Sequence, residues 1–220
     1  MSEFDRHALT QTLQQGCDAL ALPLSEVTIE RLIDYLALLS KWNAVYNLTA
    51  VRDPQQMVVQ HVLDSVSVLP ALLDAKRLLD VGAGGGLPGL VLAICAQQLA
   101  PEMHIAMIDT VHKKTAFLTA VKSELALTNV AVHTARVEQW QTAQRFDRIT
   151  SRAFAELADF VRWSAHLLTE DGCFVAMKGV LPSDEIARLP AGWQVGEIRA
   201  HKVPLLAAER HLVFIRRQPM

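Results

Sequence analysis

The sequence has few of the residues and patterns that mark secreted, membrane-spanning or metal-binding proteins. Its 220 residues include three cysteines, Cys17, Cys95 and Cys173, which are widely spaced and odd in number. We therefore expect reduced thiols, a cytoplasmic location and no bound metal. No apolar run reaches the roughly 18 residues of a membrane-spanning helix. Residues 1–6 hold two acidic side chains and no apolar run, so we expect neither a secretory signal nor a membrane partner.

Net charge and aromatic side chains are scarce as well. The formal net charge is −2, and aromatic residues make up 6% of the chain. The charges are unevenly spread, because residues 1–75 hold 4 basic and 9 acidic side chains whereas residues 76–220 hold 17 and 14. Any contact with a nucleic acid should therefore depend on local basic patches and not on a general positive field.

The most informative stretch that is present is the glycine-rich segment at residues 77–89. Residues 78–81 predict a short buried strand, and four glycines among residues 82–86 predict a turn whose backbone a ligand can approach closely. Pro88 and the apolar residues after it predict a helix. A strand, a glycine turn and a helix form the first unit of a nucleotide-binding α/β fold.

The glycines fit two classes of ligand. An acid-x-Gly-x-Gly-x-Gly pattern, which resembles motif I of the S-adenosylmethionine (SAM) methyltransferases, is present at Asp80, Gly82, Gly84 and Gly86. In that pattern the carboxylate orients the loop or meets the ammonium group of the cofactor. A shifted register, Gly84, Gly86 and Gly89, matches the dinucleotide fingerprint but begins two residues beyond the strand. The SAM register is therefore favoured.

The order of predicted elements indicates the fold. Helices are predicted over residues 5–20, from Ser25 to residues 43–46, and from Asp53 and Pro54 onward. Strands and helices then alternate over residues 76–190, and two further strands are predicted at 193–199 and 210–216. We predict an α/β, Rossmann-like SAM methyltransferase fold over residues 76–220, with a mainly parallel seven-stranded sheet and helices on both faces. Residues 1–75 are predicted to form a helical extension packed on it.

Polar residues follow three predicted strands at their carboxyl ends, where open α/β sheets bind ligands. Asp109 ends the second strand, and an acid there can accept hydrogen bonds from both ribose hydroxyls or cap the next helix. Val137 and Glu138 follow the third strand, at the expected adenine side, although Glu138 can instead cap a short helix. Arg152 follows the fourth strand, where methyltransferases place the substrate. It is the candidate catalytic residue, with a structural salt bridge as the alternative.

Other polar residues are candidates for the substrate side. Asn47 lies in a polar stretch at residues 43–49. His61 and Asp64 are three residues apart on a predicted helix, so they share a face and can form a hydrogen-bonded pair. From spacing alone, the simpler interpretation is a surface pair beside a capped loop. The basic residues near the strand ends are candidates for phosphate contacts: Lys113, Lys114, Arg136, Arg148, Arg152 and Lys178.

Taken in order, these motifs resemble those of the RsmG (GidB) family of bacterial rRNA methyltransferases. The matching stretches are residues 46–49, 61–65, 79–89, 109, 113–114, 136–138, 151–153 and 178–179. The resemblance covers nearly the whole chain. It implies transfer of a methyl group from SAM to N7 of guanine 527 in 16S rRNA, leaving S-adenosylhomocysteine. The implied partner is the small ribosomal subunit or an assembly intermediate.

The resemblance also implies which residues bind each ligand. The family's cofactor positions match Gly82, Leu87, Val137, Glu138 and Arg152. The general SAM pattern adds Asp80, Gly84, Gly86 and Asp109. Family-typical positions on the substrate side match Asn47, His61, Asp64 and Lys178.

Two departures from the family and three alternatives remain open. Ala83 stands where the family often has Ser or Thr, and Lys114 replaces a frequent Arg, which changes any bidentate phosphate contact.

The alternatives are a NAD-dependent oxidoreductase using the shifted glycine register, a non-catalytic RNA-binding module, and a small-molecule methyltransferase. The last of these is expected to have a lid lined with aromatic side chains, which are scarce here.

Overall fold

A seven-stranded sheet organises residues 4–219, the part of the chain that the computed structural model describes. Its strands are β1 (Arg77–Val81), β2 (His104–Asp109), β3 (Val130–Thr134), β4 (Phe146–Arg152), β5 (Leu168–Lys178), β6 (Trp193–His201) and β7 (Arg210–Arg217). They lie in the order β3-β2-β1-β4-β5-β7-β6. Strands β1 to β5 run parallel, whereas β7 pairs antiparallel with β5 and β6. The predicted mainly parallel, Rossmann-like sheet is confirmed.

Helices cover both faces of the sheet, also as predicted. They are α1 (Arg6–Ala19), α2 (Glu26–Tyr46), α3 (Pro54–Met57), α4 (Asp64–Val66), α5 (Gly89–Leu99), α6 (His112–Glu124), α7 (Leu157–Ser164) and α8 (Ser183–Ala187), with a π-helix at Val58–Leu63. Single 3₁₀ turns lie at Leu69–Ala71, Val137–Gln139 and Ala165–Leu167. Between residues 4 and 219, no helix combines the length and apolarity needed to cross a bilayer.

Two apolar cores lie against the two faces of the sheet. On one face α2 packs on α5 and α6, and α1 packs on α2, with Leu36 and Phe117 fully buried between them. On the other face α7 covers the sheet through Phe160 and its neighbours. The Tyr35 hydroxyl of α2 donates a 2.7 Å hydrogen bond to the Gly85 carbonyl. The helical segment before β1 therefore contacts the glycine turn directly.

The third helical segment differs from the regular helix that the sequence predicts. Asp53 does cap its start, accepting a hydrogen bond from the Gln56 amide. After one turn, however, the chain widens into the π-helix, which carries His61, and returns to α-helix only at Asp64. The side chains of His61 and Asp64 bond to different partners, His61 to Thr49 and Asp64 to two arginines. The predicted hydrogen-bonded surface pair is wrong, since both residues are buried.

A smaller difference concerns the chain before β5. The sequence predicts a helix over residues 157–168 and a strand from residue 172. In the structure α7 ends at Ser164, and β5 begins at Leu168, which pairs with Phe146 of β4. Leu167 and Leu168 are both buried in the core under α7. Burial of Leu167 and Leu168 against the sheet therefore favours the end of the helix here, although the apolar spacing of the sequence would allow it to continue.

Candidate active site

The glycine turn after β1 is held by contacts from two other strands. Gly82 has a φ of +70°, a left-handed conformation that glycine adopts without strain. A Cβ on Gly82 would lie 2.5 Å from the ring of Phe154, which follows β4. Asp109 Oδ2 accepts a 3.0 Å hydrogen bond from the Gly84 amide, and Asp109 Oδ1 accepts a 2.9 Å bond from the Val111 amide. The acid that ends β2 therefore fixes the turn that follows β1.

Asp80 lies behind the turn and is fully buried. Its Oδ2 accepts a 2.8 Å hydrogen bond from the Gly89 amide at the start of α5. Desolvation raises the pKa of Asp80 to about 7, although the Gly89 hydrogen bond opposes the shift. A carboxyl group thus occupies the helix N-terminus where a dinucleotide pyrophosphate would bind. This arrangement disfavours the shifted glycine register.

A cleft of about 320 Å³ opens at the carboxyl ends of the parallel strands. Four predicted cofactor residues line it: Gly82, Asp109, Val137 and Glu138. The basic residues Lys114 and Arg136 also line it, but each faces an acid. Lys114 Nζ lies 3.7 Å from Asp109 Oδ2, and Arg136 Nε donates a 2.6 Å hydrogen bond to Glu138 Oε1. The Arg136 hydrogen bond lowers the pKa of Glu138.

Two aromatic residues that the sequence analysis missed form one wall of this cleft. Phe154 follows β4, and Trp163 lies on α7 with 36% of its surface exposed. Their ring centroids are 5.8 Å apart in an edge-to-face arrangement. The sequence does contain a signal for Trp163. On α7 the buried stripe includes Leu157, Phe160 and Val161, and Trp163 is a large aromatic residue outside that stripe.

A second cavity of about 400 Å³ adjoins the cleft and shares Ala153 and Phe154 with it. Ala153 has a φ of +53°, which a residue with a side chain rarely adopts. Strained backbone of this kind is concentrated at functional sites. The cavity wall combines Gln60, His61 and Asp64 from the helical segment with residues from the ends of β4, β5, β6 and β7. The N-terminal helices therefore complete a cavity that the sheet begins.

A buried carboxylate between two arginines dominates the second cavity. The side chain of Asp64 is 3% exposed. Arg152 Nη1 donates 3.0 Å hydrogen bonds to Asp64 Oδ2 and to the Gln60 carbonyl, and Arg210 Nε donates a 2.6 Å bond to Asp64 Oδ1. The candidate catalytic Arg152 thus lines this cavity and not the first cleft. Sequence analysis missed Arg210, because only the placement of β7 beside β5 brings it near Asp64.

Two histidines line the same cavity with ring nitrogens that lack a partner. His61 Nε2 shares a 2.7 Å hydrogen bond with Thr49 Oγ1, whereas His61 Nδ1 is buried and has no partner among residues 4–219. Burial, followed by the charge of Arg152, lowers the pKa of His61 to about 4. Both ring nitrogens of His201 are likewise buried without a partner in the described part of the chain, and burial lowers its pKa.

The remaining predicted residues occupy several environments. Lys178 lines the second cavity, where its Nζ donates a 2.7 Å hydrogen bond to Glu185 Oε2 of α8 and a 3.2 Å bond to the Ala155 carbonyl. Asn47 ends α2 and accepts a hydrogen bond from Arg52. Seven predicted residues lie outside the lining of both cavities: Asn47, Asp80, Gly84, Gly86, Leu87, Lys113 and Arg148, the last of which is paired with Asp74. Within residues 4–219, no group of three His, Cys, Asp or Glu side chains is placed to hold a metal ion.

Comparisons with known proteins agree on a family. A family model described as GidB, rRNA small subunit methyltransferase G, matches residues 28–213. The ribosomal RNA small subunit methyltransferase G of Janthinobacterium sp. (strain Marseille) is 67% identical over 99% of both chains. Its counterpart from Herminiimonas arsenicoxydans is 65% identical over 99% of this chain and 100% of its own length.

Solved structures share the fold at low sequence identity. A putative O-methyltransferase from Klebsiella pneumoniae has a TM-score of 0.58 and 12% identity, covering 97% of this chain and 99% of its own. The O-methyltransferase TomG from Streptomyces achromogenes, solved in complex with SAM, has a TM-score of 0.56 and 14% identity, covering 84% of this chain and 90% of its own. At these identities the likeness shows the methyltransferase fold alone.

Proposed function

The chain belongs to the GidB family of rRNA small subunit methyltransferase G proteins, and we propose that it methylates N7 of guanine 527 in 16S rRNA with SAM as methyl donor. The observation that carries the proposal is the pair of adjoining cavities at the carboxyl edge of the sheet. The first cleft offers two acids and the backbone of Gly82, which suit SAM, and the second cavity presents the guanidinium groups of Arg152 and Arg210. Because the two cavities share Ala153 and Phe154, a donor in one and an acceptor in the other would meet.

The first cleft suits the adenosine part of SAM. The backbone of Gly82 lines this cleft, and Asp109 presents a carboxylate there to which ribose hydroxyls can donate. Val137 and Glu138 offer backbone groups and an acid to the edge of an adenine ring. When bound, SAM supplies an electrophilic methyl group on a positively charged sulfur.

The chemistry at N7 requires no general base. The N7 lone pair of guanine lies outside the aromatic sextet, so no proton has to leave before the methyl group is transferred. His61, whose pKa is about 4, is neutral at physiological pH and carries no charge into the cavity. The contribution of the chain is then to position the base and to exclude water. An arginine can donate to guanine O6, but donation to N7 would block the attacking lone pair.

The test uses small subunits and free 16S rRNA from cells that lack the modification. Each is incubated with the protein and labelled SAM, and the methylated nucleotide is mapped by mass spectrometry. We expect one methyl group on N7 of guanine 527, with Arg152→Ala strongly reducing it. Arg162→Ala, which removes a 61% exposed guanidinium outside both cavities, is the matched control.

Three outcomes would contradict the proposal. Methylation at another nucleotide would make the target wrong. Binding of S-adenosylhomocysteine without methylation of either RNA substrate would favour a small-molecule methyltransferase or a non-catalytic module. Thermal stabilisation by NAD and not by S-adenosylhomocysteine would favour the oxidoreductase.

A further inference from the structure

Side chains from three segments that are distant in the sequence meet inside the second cavity. Asp64 follows the π-helix, Arg152 ends β4, and Arg210 begins β7. The two arginine side chains are 21% and 22% exposed, so both are largely withdrawn from water. Removing one partner from a buried ion pair is strongly destabilising, so the side chain of Asp64, which is 3% exposed, depends on its arginines. Asp64 is paired on both oxygens, which fixes the two guanidinium groups relative to each other.

Asp64 neutralises only one of the two guanidinium charges. The other charged side chain of the wall, Lys178, is already paired with Glu185. The wall therefore keeps one uncompensated positive charge on side chains that are largely withdrawn from the surface. A neutral acceptor such as a carbonyl oxygen would leave that charge uncompensated, whereas an anionic ligand would neutralise it.

The two guanidinium groups also keep free donors. An arginine has five N–H donors, and Arg152 uses two of them on Asp64 and the Gln60 carbonyl. Arg210 uses two, on Asp64 and the Glu209 carbonyl. The remaining donors on each have no partner among residues 4–219. Together with the unpartnered nitrogen of the buried His61, they leave this wall with unmet hydrogen-bonding capacity, as expected where a polar ligand binds.

We propose that Arg210 and Arg152, braced on Asp64, form an anion site in the second cavity that takes a carboxylate or phosphate oxygen of a reaction ligand. Forked guanidinium groups bind both kinds of anion through paired hydrogen bonds. Under the proposed function, such an oxygen has two sources, which are the carboxylate at the methionine end of SAM and a phosphate of the RNA. The inference rests on that function and adds Arg210 as a ligand-binding residue.

The test compares Arg210→Gln, which removes the charge and the fork, with Arg210→Lys, which keeps the charge alone. Arg216→Gln is the matched control, because Arg216 is an exposed arginine on the same strand and outside both cavities. Calorimetry gives the dissociation constants of S-adenosylhomocysteine and of 5′-deoxy-5′-methylthioadenosine, which lacks the carboxylate. Binding to unmodified small subunits is measured over a range of salt concentrations.

Each source of the anion predicts its own pattern. If the site takes the cofactor carboxylate, Arg210→Gln weakens S-adenosylhomocysteine binding about tenfold or more and leaves methylthioadenosine binding unchanged. If it takes an RNA phosphate, both nucleosides bind as in the wild type. Small-subunit binding then weakens about tenfold, and its salt slope falls by about one. Arg210→Lys gives a smaller loss of binding affinity in either case.

The proposal is overturned if Arg210→Gln and Arg216→Gln match the wild type in all three binding measurements. It is also overturned if both nucleosides lose affinity equally, since that pattern reflects a distorted adenosine cleft. If Arg210→Gln shows no cooperative melt, Arg210→Lys decides, because it keeps a cation beside Asp64. A wild-type chain that binds neither S-adenosylhomocysteine nor small subunits would refute the proposed function as well. If the wild type binds these ligands and the Arg210 variants bind them equally well, only the anion site is refuted.

Discussion

Two buried aspartates have opposite surroundings at the scale of single residues. Asp64 is held between two guanidinium groups, whereas Asp80 has one backbone hydrogen bond, and its Oδ1 has no partner among the described residues. Desolvation accordingly dominates at Asp80 and raises its pKa to about 7. Asp80 holds the start of α5 as a hydrogen-bond acceptor, which an uncharged group can do equally well.

The raised pKa of Asp80 predicts a pH-dependent stability. Between about pH 4 and pH 7 the folded state keeps a proton that the unfolded state has released, so this group's contribution to stability falls as pH rises through that window. Asp80→Asn removes the titration and keeps an oxygen for the Gly89 amide. We expect the free energy of unfolding of the wild type, relative to Asp80→Asn, to decrease from pH 5 to pH 8 in urea titrations. A difference that does not change with pH would contradict this.

The glycine turn is the element on which both the cleft and the core depend. Gly82→Ala would place a Cβ 2.5 Å from Phe154 in a left-handed backbone conformation. We expect a loss of at least about 1–2 kcal/mol in stability from the backbone conformation. We also expect a weaker affinity for S-adenosylhomocysteine, measured by calorimetry, since Phe154, which lines the cleft, must shift.

Gly192→Ala is a matched control for the turn. Gly192 has a φ of +85°, but a Cβ there would meet nothing within 4 Å. Gly192→Ala should cost about 1–2 kcal/mol in stability from the backbone alone, no more than Gly82→Ala, and leave the affinity for S-adenosylhomocysteine unchanged. Equal affinities for the two variants would show that the space beside Gly82 is irrelevant to the ligand.

Local patterns in the sequence predict the elements well and the contacts between distant elements poorly. The alternation of apolar strands and helices indicates the sheet, and the glycine spacing indicates the turn after β1. The π-helix at Val58–Leu63 leaves no such signal, because its residues keep an ordinary apolar period. Arg210 could not be assigned either, because its contact with Asp64 exists only once β7 inserts between β5 and β6.

At the scale of the whole molecule, the predicted boundary between residues 75 and 76 crosses a continuous core. Side chains of α1 and α2 belong to the same buried cluster as those of α5, α6 and one face of the sheet. The segment before β1 also supplies Asp64 to the second cavity and Tyr35 to the glycine turn. A helical extension joined in this way is expected to unfold together with the sheet and not before it.

Two single-tryptophan variants test this cooperativity in urea. Trp42 on α2 reports on the extension through its contact with Phe117, and Trp193 reports on the far edge of the sheet, where it packs on Phe174. With the other tryptophans replaced by Phe, the fluorescence transitions of the two should have the same midpoint. Leu36→Ala should lower both midpoints together, because it reduces the free energy of unfolding by about 2–5 kcal/mol. Val27→Ala, at a 69% exposed position of the same helix, should lower neither midpoint. A Trp42 transition that precedes the Trp193 transition would show instead that residues 1–75 unfold as a separate unit, and the second cavity would then lose Asp64 before the sheet unfolds.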